Sequence, residues 1–112
     1  MSLNTLILTG NLGSEPKFLT TTSGHKKASF SVATSRSLKA ADGSKSTETE
    51  WTPIIAWGRL ADRAEKLLAK GAFILVQGEK RTRTYTDGNR VLRSTVELVA
   101  TDFRLLNKRI AD

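Results

Sequence analysis

Alternating apolar and polar positions predict that this chain is built mainly from β-strands. Successive side chains of a strand point to opposite faces, so a period of two separates a buried side from an exposed one. Lys27–Arg36 follows this pattern, with Ala28, Phe30 and Val32 on one side and small polar residues on the other. The same criterion predicts strands over Asn4–Leu12, Lys27–Arg36, Thr49–Gly58, Phe73–Tyr85 and Arg90–Ala100.

One segment has the period of an α-helix. Arg59–Lys70 places its apolar residues three or four positions apart, which gives a single buried stripe, and Gly71 follows as a stop signal. Asp62 and Lys66 are spaced for an ion pair across one helical turn. The predicted stripe consists of Leu60, Ala64, Leu67 and Leu68.

Turn-forming and strand-breaking residues separate these elements. Gly10 predicts a bulge or sharp bend within the first strand. Ser37–Glu48 contains Asp-Gly-Ser and predicts an exposed loop, and Thr86–Asn89 predicts a hairpin turn. In the strand that follows the hairpin turn, the residues predicted to point inward are Leu92, Val96, Leu98 and Ala100.

The element order is three strands, one helix and two strands. This is the order of the OB fold, an all-β, five-stranded barrel with one helix between strands 3 and 4. Phe73–Tyr85 is apolar at its start and basic at its end, so the last hairpin is expected to project as a basic arm. We place one domain at residues 1–106, closed by a short apolar pattern at 103–106 that covers a core edge, and a short basic tail at 107–112.

Composition favours a polyanionic partner and excludes several other classes. The net charge is +7, from 18 Lys and Arg against 11 Asp and Glu in 112 residues. The chain has no cysteine, which excludes disulfides and thiolate metal sites and fits a reducing cytoplasm, where we expect the protein to be associated with the nucleoid. Neither a signal peptide nor a membrane span is expected from the N-terminal pattern.

No catalytic constellation is recognisable. His25 is the only histidine, so neither a zinc site nor a histidine-activated nucleophile can be assembled. A phosphate-binding glycine loop followed by Lys-Ser or Lys-Thr is also absent from the sequence. We therefore expect a protein that is not an enzyme and that has no catalytic residue, metal or cofactor.

Aromatic and basic residues share strand faces. In an extended Thr49–Gly58, Trp51 and Trp57 point the same way, and in Glu79–Tyr85 two arginines share a face with Tyr85. If the two faces form one surface, bases can stack on the rings while cations neutralise the phosphates of a single strand. The alternative is that both tryptophans belong to the hydrophobic core.

The candidate phosphate contacts are the basic residues near these faces. Each could equally be a solvated surface cation. The candidates are Arg36, Lys39, Arg59, Lys80, Arg81, Arg83, Arg90 and Arg93.

Four segments carry a resemblance to a known family. LILTGNLGSEP at 6–16, FSVATSRS at 30–37, TEWTPIIAWGRLADRAEKLLAKG at 49–71 and VQGEKRTRTYTDGN at 76–89 resemble the bacterial single-stranded DNA-binding proteins in order and spacing. The resemblance implies an OB fold, binding of single-stranded DNA in replication, recombination and repair, and a homotetramer built as a dimer of dimers.

The resemblance also implies roles for particular residues. Trp51, Trp57 and Tyr85 match the base-stacking aromatics of the family, and Arg81 and Arg83 match its backbone contacts. The first strand of the family pairs with its symmetry mate. The dimer interface implied here consists of Asn4, Thr5, Leu6, Ile7, Leu8 and Thr9.

Three departures from the family pattern are visible. Leu38 replaces the first stacking aromatic, so affinity or site size should differ, and Thr52-Pro53 replaces a His-Arg pair that takes part in DNA contact and subunit packing. The sequence given ends at Asp112 without the linker and acidic tip that recruit repair proteins in the family. Both a tail that has been removed and a short variant without that role stay open, so tail-mediated repair partners are in doubt. The alternatives left open are a primosome-type accessory protein that mainly binds proteins, and an OB domain that binds RNA or an oligosaccharide.

Overall fold

Six β-strands and one α-helix form residues 2–107, the part of the chain that this computed structural model describes. Their bounds are β1 Leu6–Leu12, β2 Lys17–Thr20, β3 Lys26–Lys39, β4 Lys45–Trp57, α1 Arg59–Leu67, β5 Phe73–Thr86 and β6 Leu92–Leu105. The basic tail expected at 107–112 lies, from position 108 onward, outside the described residues.

Five of the strands close into a barrel. The sheet order is β1-β5-β6-β4-β3-β2, and a further pairing of β1 with β3 closes the ring. Strand β2 pairs with β3 at the edge of the sheet and raises the strand count to six. The prediction of an all-β OB barrel with one helix before its last two strands is confirmed.

Large apolar side chains from alternate strand positions fill the barrel. Ile54 of β4 and Leu98 of β6 pair in register, and both are fully buried. Each such side chain contributes about 1.5–3 kcal/mol by leaving water. Phe103 is also fully buried because β6 continues to Leu105, so this residue of the segment predicted to cover a core edge belongs to the core itself.

The closing pair, β1 with β3, is short and depends on a glycine. β1 pairs with β5 along most of its length and reaches β3 only at Asn11 and Leu12. A Cβ on Gly10 would overlap the carbonyl oxygen of Ala33 and lie 2.8 Å from Cγ1 of Val32. Glycine is therefore required where β1 approaches β3. The register of β1 with β5 runs through Gly10 without a shift, so no bulge interrupts it, and the sharp bend at Gly10 stays a prediction.

Helix α1 packs small residues against the barrel. Ala61 and Ala64 are fully buried, and Leu68, just after the helix, is also buried. The helix is shorter than the predicted Arg59–Lys70 because Leu68 takes an extended backbone conformation, with φ −101° and ψ 139°, as it turns into the core. Leu67 is consequently exposed, so its assignment to the buried stripe is wrong.

An ion cluster fastens α1 to β3. Nζ of Lys26 lies 2.6 Å from a carboxylate oxygen of Glu65 and 3.1 Å from one of Asp62. The hydrogen bond to Glu65, followed by that to Asp62, raises the pKa of Lys26. Asp62 therefore pairs with β3 and not with Lys66 as predicted.

Two long hairpins extend beyond the barrel. β3 and β4 remain paired out to Lys39 and Lys45, so the loop predicted over Ser37–Glu48 is wrong and most of it is strand. β5 and β6 project as predicted, but Leu92 is 73% exposed and Val96 44% exposed. Both side chains were predicted to point inward. They are exposed because this part of the hairpin extends past the end of the barrel, where there is no core for them to enter.

Replacing Gly10 with alanine should lower the free energy of unfolding by about 1–3 kcal/mol, the usual effect of overpacking, because the new Cβ meets backbone atoms. Urea denaturation measures this change. Gly88→Ala is the matched control, because a Cβ there meets no atom within 4 Å. Equal stability of the two variants would contradict the role assigned to Gly10.

Candidate nucleic-acid interface

The two tryptophans lie outside the barrel on one face of β4. Trp51 is 55% exposed and Trp57 is 44% exposed, whereas Ile54 and Ala56, which point the opposite way, are fully buried. Strand alternation therefore places both indoles on the outer face. The alternative that both tryptophans belong to the core is wrong.

Small side chains of β3 lie beside the tryptophans. Trp51 pairs in register with Ala33, and directly paired residues share a face. The next positions on this face of β3 are Ser31 and Ser29, which pair with the β4 residues between the two indoles. We call this surface, formed by the outward residues of β3 and β4, the aromatic face. Its small side chains leave both rings accessible.

Lys27 belongs to the aromatic face although it is absent from the candidates identified by sequence. Its ammonium group lies 5.7 Å from the centre of the Trp57 ring, within cation–π range. Lys17 of β2 pairs with Ser29 and so shares the same face. Counting by twos from Ser29 would have identified Lys27, whereas Lys17 is found only through the pairing of β2 with β3.

A groove of about 310 Å³ connects the aromatic face with the β5–β6 hairpin. Its lining includes Lys27, Ser29, Ser31, Pro53, Ile55 and Arg83. Ile55 belongs to β4 between the two tryptophans, and Arg83 belongs to the projecting part of β5. The two faces predicted to form one surface are thus continuous.

The projecting part of the β5–β6 hairpin, residues 79–97, is the basic arm. Its outward face carries Arg81, Arg83 and Tyr85, all of them exposed. The guanidinium group of Arg83 lies 5.7 Å from the centre of the Tyr85 ring. Arg93 pairs in register with Tyr85 and lies on the same face. The arm brings one phenol ring and three guanidinium groups to one surface.

Three arginines of the arm have carboxylate partners. The pairs are Glu79 with Arg81 at 2.8 Å, Asp87 with Arg93 at 3.0 Å and Glu97 with Arg83 at 3.8 Å. Because these guanidinium groups are well exposed, such pairs add little to stability. A phosphate that approaches one of these arginines must compete with the carboxylate already beside it.

Asp87 also shapes the tip of the arm. Its carboxylate accepts hydrogen bonds from the backbone N–H of Val91 at 3.0 Å and of Asn89 at 2.9 Å. The bond from Val91, followed by that from Arg93, lowers the pKa of Asp87. A carboxylate with a lowered pKa stabilises the fold above its ordinary pKa, and this contribution is lost only as the pH falls through the lowered value. The tip therefore keeps these bonds at neutral pH.

The other candidates are distributed over both sides of the hairpins. Arg36 and Lys80 lie in the opposite strand phase from the aromatic face and the outward face of the arm, and Arg36 lies 3.2 Å from Glu48. The structure therefore does not bring these two cations to the candidate surface. Lys39 shares the phase of Ala33. The remaining positions are Lys39 at the end of β3, Arg59 at the start of α1 and Arg90 in the turn of the arm.

Other kinds of site find little support in the described structure. Among residues 2–107, no group of three histidine or carboxylate side chains is placed to hold a metal ion. The single helix of this region is too short to cross a membrane. His25 is exposed in the turn between β2 and β3.

The sequence model of the family described as the single-strand binding protein family matches residues 3–106. The chain belongs to this family. The match covers β1 through β6, so the aromatic face and the basic arm both lie within the segment shared by single-strand binding proteins.

Two bacterial members of the single-strand binding protein family illustrate the similarity. Single-stranded DNA-binding protein 1 of Chlorobaculum tepidum is 35% identical over 108 residues, covering 96% of this chain and 67% of its own length. Single-stranded DNA-binding protein 1 of Xylella fastidiosa is 37% identical over 109 residues, covering 96% of this chain and 80% of its own length.

A solved structure of a single-strand binding protein supports the same assignment. The Plasmodium falciparum SSB in complex with ssDNA superposes with a TM-score of 0.88 at 28% sequence identity. The alignment covers 96% of this chain and 97% of that chain, so the whole barrel and both hairpins have counterparts in a protein solved with single-stranded DNA.

Proposed function

We propose that this protein binds single-stranded DNA without sequence preference, with bases stacked on Trp51, Trp57 and Tyr85. The observation that carries the proposal is the outward exposure of both tryptophans on a face continuous with the basic arm. Every base has a π-face, so stacking on an aromatic ring, worth about 1–3 kcal/mol per base, tolerates any sequence. The bacterial relatives and the Plasmodium structure with ssDNA support the same ligand.

Cations around the aromatic face and along the arm supply the phosphate contacts in this proposal. The proposed contacts are Lys17, Lys27, Lys39, Arg59, Arg81, Arg83, Arg90 and Arg93. Arg36 and Lys80 are left out because their side chains lie on the opposite faces. The net charge of +7 also favours attraction of a polyanion.

The proposed biological role is the binding and protection of single strands during replication, recombination and repair, in the cytoplasm at the nucleoid. The protein acts as a binder and catalyses no reaction, and residues 1–106 form the binding domain, with 107–112 as a short tail. A primosome-type accessory role is less favoured because it gives no reason for an exposed stacking face, and because the relatives are named as single-stranded DNA-binding proteins.

We further propose that the protein is a homo-oligomer, with a tetramer more favoured than a dimer, built through β1. From Leu6 to Gly10, β1 pairs with β5 on one side, and its pairing with β3 begins only past this segment. Ile7 is 57% exposed on this strand. Two such edges can pair about a two-fold axis, which supports Asn4–Thr9 as the dimer interface. Within it, the side chain of Asn4 already bonds both backbone groups of Lys80.

Replacing Trp51 or Trp57 with alanine should weaken binding of poly(dT) by about 1–3 kcal/mol each, because one stacking platform is lost. Quenching of the remaining tryptophan on titration measures the affinity, and parallel titrations with poly(U) and a neutral oligosaccharide test the other ligands. Phe73→Ala is the control, since Phe73 is an exposed aromatic outside the aromatic face. Unchanged affinity in both tryptophan variants would contradict the stacking proposal.

Replacing Arg83 with alanine should weaken binding and reduce the slope of log affinity against log salt by about 0.7, the value for one lost phosphate contact on a single strand. The measurement is a set of titrations at several salt concentrations. Lys66→Ala removes the same charge from α1 and is the control. An equal loss in both variants would mean that net charge, and not a contact made by Arg83, decides binding.

Replacing Ile7 with aspartate should dissociate the oligomer, because charges on an edge strand oppose strand pairing. Sedimentation equilibrium should then report half the parent mass: two chains of 12.3 kDa from a tetramer, or one chain from a dimer. Leu19→Asp places the same charge on the exposed edge strand β2, where Leu19 is 62% exposed, and should leave the mass unchanged. Dissociation by the Leu19 variant alone would place the interface at β2 instead.

A further inference from the structure

Gly13 lies against the outer edge of the Trp51 ring. A Cβ built on Gly13 would lie 2.5 Å from Cη2 of Trp51 and closer still to Cζ3. These atoms form the far edge of the benzene ring of the indole. Outside a residue and its chain neighbours, real Cβ atoms essentially never come within 3.0 Å of another heavy atom, so the ring occupies space that only glycine leaves free.

This contact spans the short pairing of β1 with β3 that closes the barrel, which we call the seam. Trp51 stands on β4 beside Ala33 of β3, and its far edge reaches beyond β3 to the end of β1. Gly13 directly follows Leu12, the last residue of β1 that pairs with β3, and its N–H donates to the carbonyl of Ser31 at 3.4 Å. The pairing of β1 with β3, and of β3 with β4, thus fixes the distance between Gly13 and the backbone of Trp51.

We propose that Gly13 is a positioning residue for Trp51: it holds the indole in the orientation in which a base stacks on it. The inference rests on the proposed function, because it concerns the orientation of one base-stacking ring in the protein without DNA. The ring remains 55% exposed, so the contact orients it without covering it. A preset ring loses less conformational freedom when a base binds, and affinity rises accordingly.

Glycine is needed at position 13 because the Trp51 ring occupies the place of a Cβ, and not because the backbone there has a positive φ. Glycines with positive φ in this chain are Gly24, Gly43, Gly58 and Gly71, and Gly13 is not among them. Alanine at position 13 therefore meets no penalty for a positive φ. What must move is the end of the Trp51 side chain, which can rotate away. Gly10 is the contrasting case, because its missing Cβ makes room for backbone atoms of β3.

The test uses Gly13→Ala in a Trp57→Phe background, where Trp51 is the only tryptophan. Acrylamide quenching of the free protein should increase as the ring leaves its contact. Affinity for oligo(dT) should fall about three- to tenfold, less than for Trp51→Ala. The midpoint of urea unfolding should stay close to that of the parent. Gly88→Ala in the same background is the control, because a Cβ there meets nothing within 4 Å.

A double-variant comparison separates positioning from direct contact with DNA. If Gly13 acts through the ring, adding Gly13→Ala to Trp51→Ala should produce no further loss of affinity. Additive losses would overturn the inference, as would unchanged binding by Gly13→Ala while Trp51→Ala binds weakly. A fall in stability as large as that of Gly10→Ala would also overturn it. Unchanged binding by Trp51→Ala would instead remove Trp51 from the proposed stacking residues, which keeps the two failures distinguishable.

Discussion

The close approach of β1 to β3 is the constraint on which the rest of the structure depends. It is possible because Gly10 has no side chain to meet the carbonyl of Ala33. Only two residue pairs join the strands there, yet they close the ring of five strands and define the interior that the core fills. The same seam brings the end of β1 beside the outer face of β3, and it thereby places Gly13 at the edge of the Trp51 ring.

Closure also decides which side chains face outward. Once Val32, Ile54 and Leu98 occupy the interior, the opposite phase of the same strands must lie on the surface. On β4 that phase contains both tryptophans, and on β5 it contains the arginines of the arm. A basic surface with accessible rings is therefore a consequence of a filled barrel. The carboxylates beside these arginines would compete with any phosphate that approaches them.

Regular periodicity made much of this arrangement predictable. The shared face of Trp51 and Trp57 follows from a period of two. The paired strands within Ser37–Glu48 could not be predicted, because a hairpin that projects into water has polar residues on both faces and shows no alternation. The contact between Gly13 and Trp51 joins positions far apart in the chain, and it becomes visible only when the seam between β1 and β3 is known.

Leu38 stands where the family resemblance implies a stacking aromatic, and its placement bears on how much DNA the proposed surface would cover. Leu38 pairs in register with Ser46, in the strand phase of Arg36 and not of Trp51. A DNA strand lying along the aromatic face would reach position 38 only by passing around the edge of the β3–β4 hairpin. Loss of an aromatic there removes a contact at the far end of such a path and leaves the Trp51 platform intact. If DNA binds as proposed, leucine at this position should therefore change the length of DNA covered more than the strength with which each base on the aromatic face is held.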